Sequence, residues 1–170
     1  ARVPGAGVDL KYMHPDEIPE QVLNDQSDLG LMHAHGLGVP ENETEAVKWY
    51  RKAAGQGDAK AQFNLGLMYA NGRGVPENDT EALKWYRRAA DQGFALAQYT
   101  LGVMYDEGKA VAQNDADAAK WYGKAADQDF AKAQYALGLM YEEGKGVAQN
   151  DAEAARWFHK AAAQGFAGAQ

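Results

Sequence analysis

The sequence predicts an all-α fold, a solenoid of four two-helix repeats with a 36-residue period. Three observations carry this. The four tryptophans, Trp49, Trp85, Trp121 and Trp157, stand 36 residues apart, and the pairs Leu29-Gly30, Leu65-Gly66, Leu101-Gly102 and Leu137-Gly138 keep the same step. Between 85–120 and 121–156, 26 of 36 positions are identical. Each copy carries two apolar stripes of helical spacing and none of period two.

The first helix of a copy, helix A, is legible in 58–72, where Ala61, Leu65, Met68 and Gly72 share one face. A Gly-x-Gly-Val turn follows, at Gly36/Gly38, Gly72/Gly74 and Gly144/Gly146. The third copy has Gly108 but Ala110, so a positive φ there would strain an alanine. Helix B is predicted to begin near 43, 79, 115 and 151. Its stripe in the second copy is Ala82, Trp85, Tyr86, Ala89 and Ala90, with Trp85 expected in the core. Asn78 or Asp79 can cap it, and Asn78 with Glu81 has the spacing of a capping box, repeated at Asn42/Glu45 and Asn150/Glu153. Gly57, Gly93 and Gly165 follow helix B, where a left-handed residue closes a helix; Asp129 takes that place once. Small residues such as Gly66, Ala89 and Ala90 let axes approach closely. One hairpin cannot bury both its faces, so the copies stack.

The stretch AKAQFNLGLMYANGRGVPENDTEALKWYRRAADQG resembles a Sel-one-like repeat (SLR), a relative of the tetratricopeptide repeat. The pattern is matched at Ala61, Leu65, Gly66, Tyr69, Gly72, Gly74, Val75, Asp79, Ala82, Trp85, Tyr86, Ala89, Ala90 and Gly93, and the resemblance runs over about 22–170. It implies a right-handed α/α superhelical solenoid used as a protein-interaction scaffold. Cysteine-rich proteins of this kind have been tied to β-lactams, but this chain has no cysteine and no credible nucleophile.

The ends depart from the pattern. Residues 1–19 are expected as an extended segment, because Pro15 and Pro19 would break a helix there. The array then covers 20–170, with repeats at about 22–57, 58–93, 94–129 and 130–165 and the start of a fifth at 166–170. The first helix A carries Asp25, Ser27 and His33 in place of alanine and aromatics, as suits a repeat that caps the stack. Residues 1–15 are expected to be held by contacts, either on their own first repeat or on a neighbouring molecule's concave surface. In the second case the tail lies near Asn64, Tyr99 and Tyr135, with Arg2 and Lys11 towards Asp106, Glu107 or Glu142. The tail and the bare last repeat thus also offer surfaces for self-association.

Composition excludes several classes. With 24 acidic and 17 basic residues the net charge is −7, which argues against nucleic acid. No apolar run reaches 18 residues, so no membrane insertion is expected. The absence of cysteine fits the cytoplasm, and equally a periplasmic or secreted protein whose export signal was removed. Ser27 is the only serine and lies in no nucleophile motif, so no enzyme and no cofactor are expected. His33 and His35, perhaps with His14, invite a metal; side chains two apart on a helix diverge by about 200°, so none is expected. Asp106-Glu107 and Glu142-Glu143 stand at helix A C-termini, where the macrodipole disfavours acids.

Positions on helix A that vary between copies are free to specify a ligand on the concave face. The candidate peptide-binding residues are Phe63, Asn64, Leu67 and Asn71; Tyr99, Thr100, Val103 and Glu107; and Tyr135, Leu139 and Glu143. Aromatics and amides with acids at one edge suit an extended peptide or protein segment of some basic character. The other reading is a purely structural repeat spacer within a larger signalling or cell-envelope protein.

Overall fold

The computed structural model describes residues 26–166. The expectations for the tail, His14, Asp25 and most of the fifth-helix start lie outside that range. Eight helices follow in order: α1 (Gln26–His35), α2 (Glu43–Gly55), α3 (Ala59–Ala70), α4 (Asp79–Asp91), α5 (Ala95–Glu107), α6 (Asp115–Ala126), α7 (Ala131–Glu143) and α8 (Asp151–Ala163). No strand occurs among the described residues. Odd helices are the A helices, even ones the B helices. Each packs mainly on its neighbours in the chain, which makes an all-α solenoid.

The B helices begin at Glu43, Asp79, Asp115 and Asp151, where the sequence places them. Asn42, Asn78, Asn114 and Asn150 are the caps, and each side chain accepts the amide three residues on. The capping box is only half built. The Asn78 amide donates to the Tyr69 carbonyl at 2.9 Å instead, and Glu81 turns to Lys84 at 2.5 Å. Asn42 does the same to His33 at 2.8 Å, and Asn114 and Asn150 to Tyr105 and Tyr141 at 2.9 Å. This bond fixes helix B to its own helix A, so the reciprocal glutamate is not needed. Helix A closes with the Arg73 amide on the Met68 carbonyl at 2.9 Å, a Schellman arrangement. Ala110 and Asp129 adopt φ of 60° and 59°, so both non-glycine substitutions sit in the left-handed region.

The hairpin is held by a notch. Gly30, Gly66, Gly102 and Gly138 face Tyr50, Tyr86, Tyr122 and Phe158, and a Cβ on these glycines would stand 2.4–2.6 Å from the ring. No alanine fits without moving the ring. Burial pushes the Tyr50 phenol up to about 12, and it raises Tyr86 and Tyr122 further. Trp121 and Trp157 are buried against the repeat before them. Trp85, expected in the core, is only half-buried; the Arg88 guanidinium lies over its ring at 4.6 Å. The tryptophan stands at the margin of the stripe, and the tyrosine beside it fills the centre.

Successive repeats are tied along two edges. At the N-terminal end of the A helices, Gln62, Gln98 and Gln134 are buried. Each side-chain amide donates to a carbonyl ending the preceding B helix, at Ala54, Ala90 and Ala126, over 3.1, 3.1 and 3.2 Å. Each Oε1 accepts from Gln92, Gln128 or Gln164 at 2.7, 2.7 and 2.8 Å. At the opposite end, the basic residue after the first glycine of the turn in the second, third and fourth repeats reaches the first carboxylate of the preceding B helix. Arg73 binds Glu43 at 2.6 Å, while Lys109 and Lys145 stand 3.5 and 3.6 Å from Asp79 and Asp115.

Candidate peptide groove

Among the described residues, clefts open between consecutive A helices at two junctions one repeat apart. The first, between α1 and α3, has a volume of about 140 Å³ and is lined by Leu31, Ala34, Asn64, Leu67, Asn71 and Arg73 among others. The second, between α3 and α5, measures about 220 Å³ and is lined by Ala70, Asp79, Tyr86, Thr100, Val103, Met104, Glu107 and Lys109. The candidates Asn64, Leu67 and Asn71 therefore line the first cleft. Thr100, Val103 and Glu107, one period later, line the second. Helical geometry explains the triplet: residues at i, i+3 and i+7 follow one stripe.

The two clefts differ in chemistry. The first holds amides and an exposed apolar side chain, Leu67 at 38% exposure. Its one permanent cation, Arg73, is committed to Glu43 and also donates to the Ala34 carbonyl at 3.3 Å. The Asn71 side-chain amide donates to the Leu67 carbonyl at 2.8 Å, in the last turn of the helix it closes. The second cleft is acidic. The Asp79 Oδ1 is buried without a hydrogen bond, with the Lys109 ammonium 3.5 Å away, and Glu107 is exposed. Burial and then the nearby Glu107 charge raise the Tyr99 phenol.

The next junction is built differently. Lys145 crosses it and hydrogen-bonds Asp106, with Asp115 also within reach. The hydrogen bond to Asp106 is the main reason the Lys145 ammonium holds its proton more tightly than usual. Ala34 and Ala70 occupy the place of Asp106 in the earlier repeats, so only this junction carries such a bridge. The acids at 106–107 thus divide: Asp106 is a structural partner of Lys145, and Glu107 faces the cleft. Further along, Leu139 is half-buried and Glu143 exposed.

The aromatic candidates serve the stacking of repeats. Phe63 is 6% exposed, wedged between Tyr86 and Phe94 with ring centroids at 5.4 and 5.5 Å. Its expected place on the binding surface gives way to a packing role, because the next repeat covers it. Tyr99 packs likewise on Tyr122 and Phe130, and Tyr135 on Phe158 and Phe166, but both keep partial exposure. The residues that sequence reasoning passed over are the glutamines of the amide edge. Their signal was present: Gln62, Gln98 and Gln134 recur at 36 residues, as do Gln92, Gln128 and Gln164.

Nothing in this arrangement is a catalytic set. Among the described residues no three metal-ligating side chains converge, and no helix is long and apolar enough to cross a membrane. His33 is half-buried in the place of the repeating tyrosine, and His35 lies at the exposed end of α1.

The Sel1 repeat profile matches residues 25–58, 59–94, 95–130 and 131–166. The chain belongs to the Sel1 repeat family. Sel1 repeat proteins are in general non-catalytic scaffolds for protein–protein interaction. Among solved structures, the chain is similar to c5321, a protective antigen of uropathogenic Escherichia coli strains displaying an SLR fold. The identity is 39% and the TM-score 0.83, over 85% of this chain and 31% of that one. A Sel1 repeat protein from Oxalobacter formigenes matches with 39% identity and a TM-score of 0.82, over 92% of this chain and 62% of that one. The chain therefore spans about a third and about three-fifths of these two Sel1 relatives. Helicobacter pylori cysteine rich protein B, at 24% identity and a TM-score of 0.61, shares the fold. Comparison with curated protein sequences gives no match.

Proposed function

We propose that this Sel1 array binds an extended segment of another protein along the groove of its A helices, centred on the two clefts. The observation that carries the reading is the pair of clefts at equivalent positions with different linings. Asn64, Leu67 and Asn71 become Thr100, Val103 and Glu107 one period later. Residues that only hold the stack, such as the glutamines and the notch glycines, do not change between copies. Variation on one surface of an otherwise repeated frame is what a sequence-reading surface needs, and Leu67 keeps apolar area available. Tyr99, Tyr135, Leu139 and Glu143 would extend the contact towards the last repeat.

The test is selection of binders from a random twelve-residue peptide library displayed on phage, followed by Leu67→Arg/Val103→Arg. Leu67 is exposed, and Val103 lines the second cleft while also touching the core behind it, so a helical circular dichroism equal to the parent's is checked first, and the double variant then loses the selected peptides. Selected peptides that bind the double variant as well as the parent would place the site elsewhere and sink the reading.

A further inference from the structure

We infer that the segment accepted by this groove carries a lysine or arginine for the second cleft and an aliphatic side chain, about three residues away, for the first. The inference rests on the groove reading above and adds the chemistry of the ligand.

The charge argument starts from the carboxylates that open the B helices. At the first junction this group, Glu43, is satisfied by the Arg73 guanidinium at 2.6 Å. At the second junction the same position, Asp79, has an Oδ1 shut away from solvent and without a hydrogen bond. Lys109 stands 3.5 Å off with half of its own side chain exposed. Glu107 lines the same cleft, and among the described residues no ion pair engages it. Two carboxylates against one loosely held lysine leave the cleft one negative charge in excess. A donor that reached the Asp79 and Glu107 carboxylates would form charge-assisted hydrogen bonds, about twice as strong as neutral ones. The walls suit the stem of such a side chain: Ala70, Val103 and Met104 offer methylene contacts below the charged head.

The first cleft does not share this preference. Among the described residues no carboxylate lines it, its arginine is engaged, and Leu67 presents its exposed apolar surface there. The smaller volume, about 140 Å³ against 220 Å³, suits a short aliphatic side chain. The spacing follows from geometry. Packed helices lie about 8–10 Å apart, and a segment in the polyproline II conformation repeats its side-chain direction every three residues at a rise of about 3.1 Å each, so neighbouring clefts receive side chains about three residues apart. The third junction repeats these carboxylates at Asp115 and Glu143 and adds Asp106, to which its own lysine, Lys145, is hydrogen-bonded.

The displayed-library experiment also tests this inference, by the composition of what it selects. Peptides that need Leu67 and Val103 should be enriched in lysine or arginine at a position three residues from leucine, isoleucine, valine or methionine. Affinities of synthetic copies are then read by fluorescence anisotropy. Glu107→Gln should weaken them about threefold to tenfold. Lys109→Met, which removes the competing cation, should tighten them. Replacing the peptide's own basic residue by glutamine should make Glu107→Gln silent, as a double-mutant cycle requires of a direct pair. Groove-dependent peptides that are acidic or uncharged, or a Lys109→Met variant that binds more weakly, would overturn the inference and leave the groove reading standing. Peptides indifferent to Leu67→Arg/Val103→Arg, or no selected peptide at all, would overturn both.

Discussion

The two edges of the solenoid perform one task with opposite chemistry. Along the amide edge, neutral glutamines are buried, and each makes the same pair of hydrogen bonds in every described junction, within 0.1 Å of its equivalents. Along the ionic edge, the partners are partly exposed, and the three junctions differ: a close arginine pair, a loose lysine pair, and a lysine shared between two aspartates. A buried polar group tolerates no lapse in partnership, since an orphaned one costs its full desolvation. An exposed ion pair contributes little and can be altered freely. The clefts adjoin the ionic edge, Arg73 and Lys109 being among their walls. Sequence variation thus sits where it disturbs the stack least.

The comparison breaks first at Gln98. Gln98→Ala removes the buried donor to the Ala90 carbonyl and the acceptor of the Gln128 amide, leaving them only the Gly93 amide at 3.0 Å and the Lys124 carbonyl at 3.4 Å, and should cost about 1.5–3 kcal/mol in urea unfolding. A loss below about 0.5 kcal/mol would show that the ladder only accompanies the fold. Next in size is a gain. Ala110→Gly relieves a left-handed alanine and should stabilise by about 1 kcal/mol. Its equivalents Gly74 and Gly146 lie where a Cβ would meet a backbone oxygen at 2.3 and 2.1 Å, so an unchanged midpoint would mean the third turn has relaxed by another route. Lys145→Met should cost about 0.5–1 kcal/mol, and most of that should vanish in 1 M NaCl, where the Debye length is about 3 Å. The Gln98→Ala deficit should persist in the same salt; equal salt sensitivity would erase the distinction between the edges. Smallest is Asp129→Gly, on the amide edge. Aspartate tolerates the left-handed region, and its Oδ1 accepts from Gln134 at 3.3 Å. The net change should stay within about 0.5 kcal/mol, and a gain as large as that of Ala110→Gly would show that this hydrogen bond contributes nothing.

The sequence made some of this legible and hid the rest for identifiable reasons. Period, helix count and the starts of the B helices follow from patterns that local physics enforces, apolar spacing and asparagine caps. The strain at Ala110 and Asp129 was visible because glycine marks the other copies. The triplets Asn64/Leu67/Asn71 and Thr100/Val103/Glu107 were found as variable positions on one stripe, and the clefts lie over them. The amide edge was missed because glutamine in a helix reads as a solvated residue. Only the neighbouring repeat shows that its partner is the end of another helix. Phe63 and Trp85 were exchanged in burial for a related reason. An amphipathic stripe gives the face of a helix, while the angle at which the next hairpin lies decides which margin is covered.

The step-by-step pattern of contacts has a mechanical consequence. Among the described residues, hydrogen bonds and ion pairs join positions no more than 39 apart in the chain. Pulled from the two ends of the described array, whose described residues form no clasp joining first repeat to last, the molecule passes load through each junction in series. It should therefore yield hairpin by hairpin. Each 36-residue repeat released would lengthen the tether by about 120–130 Å of contour before the next gives way. The array would behave as a graded extensible element and would not snap open as a single unit.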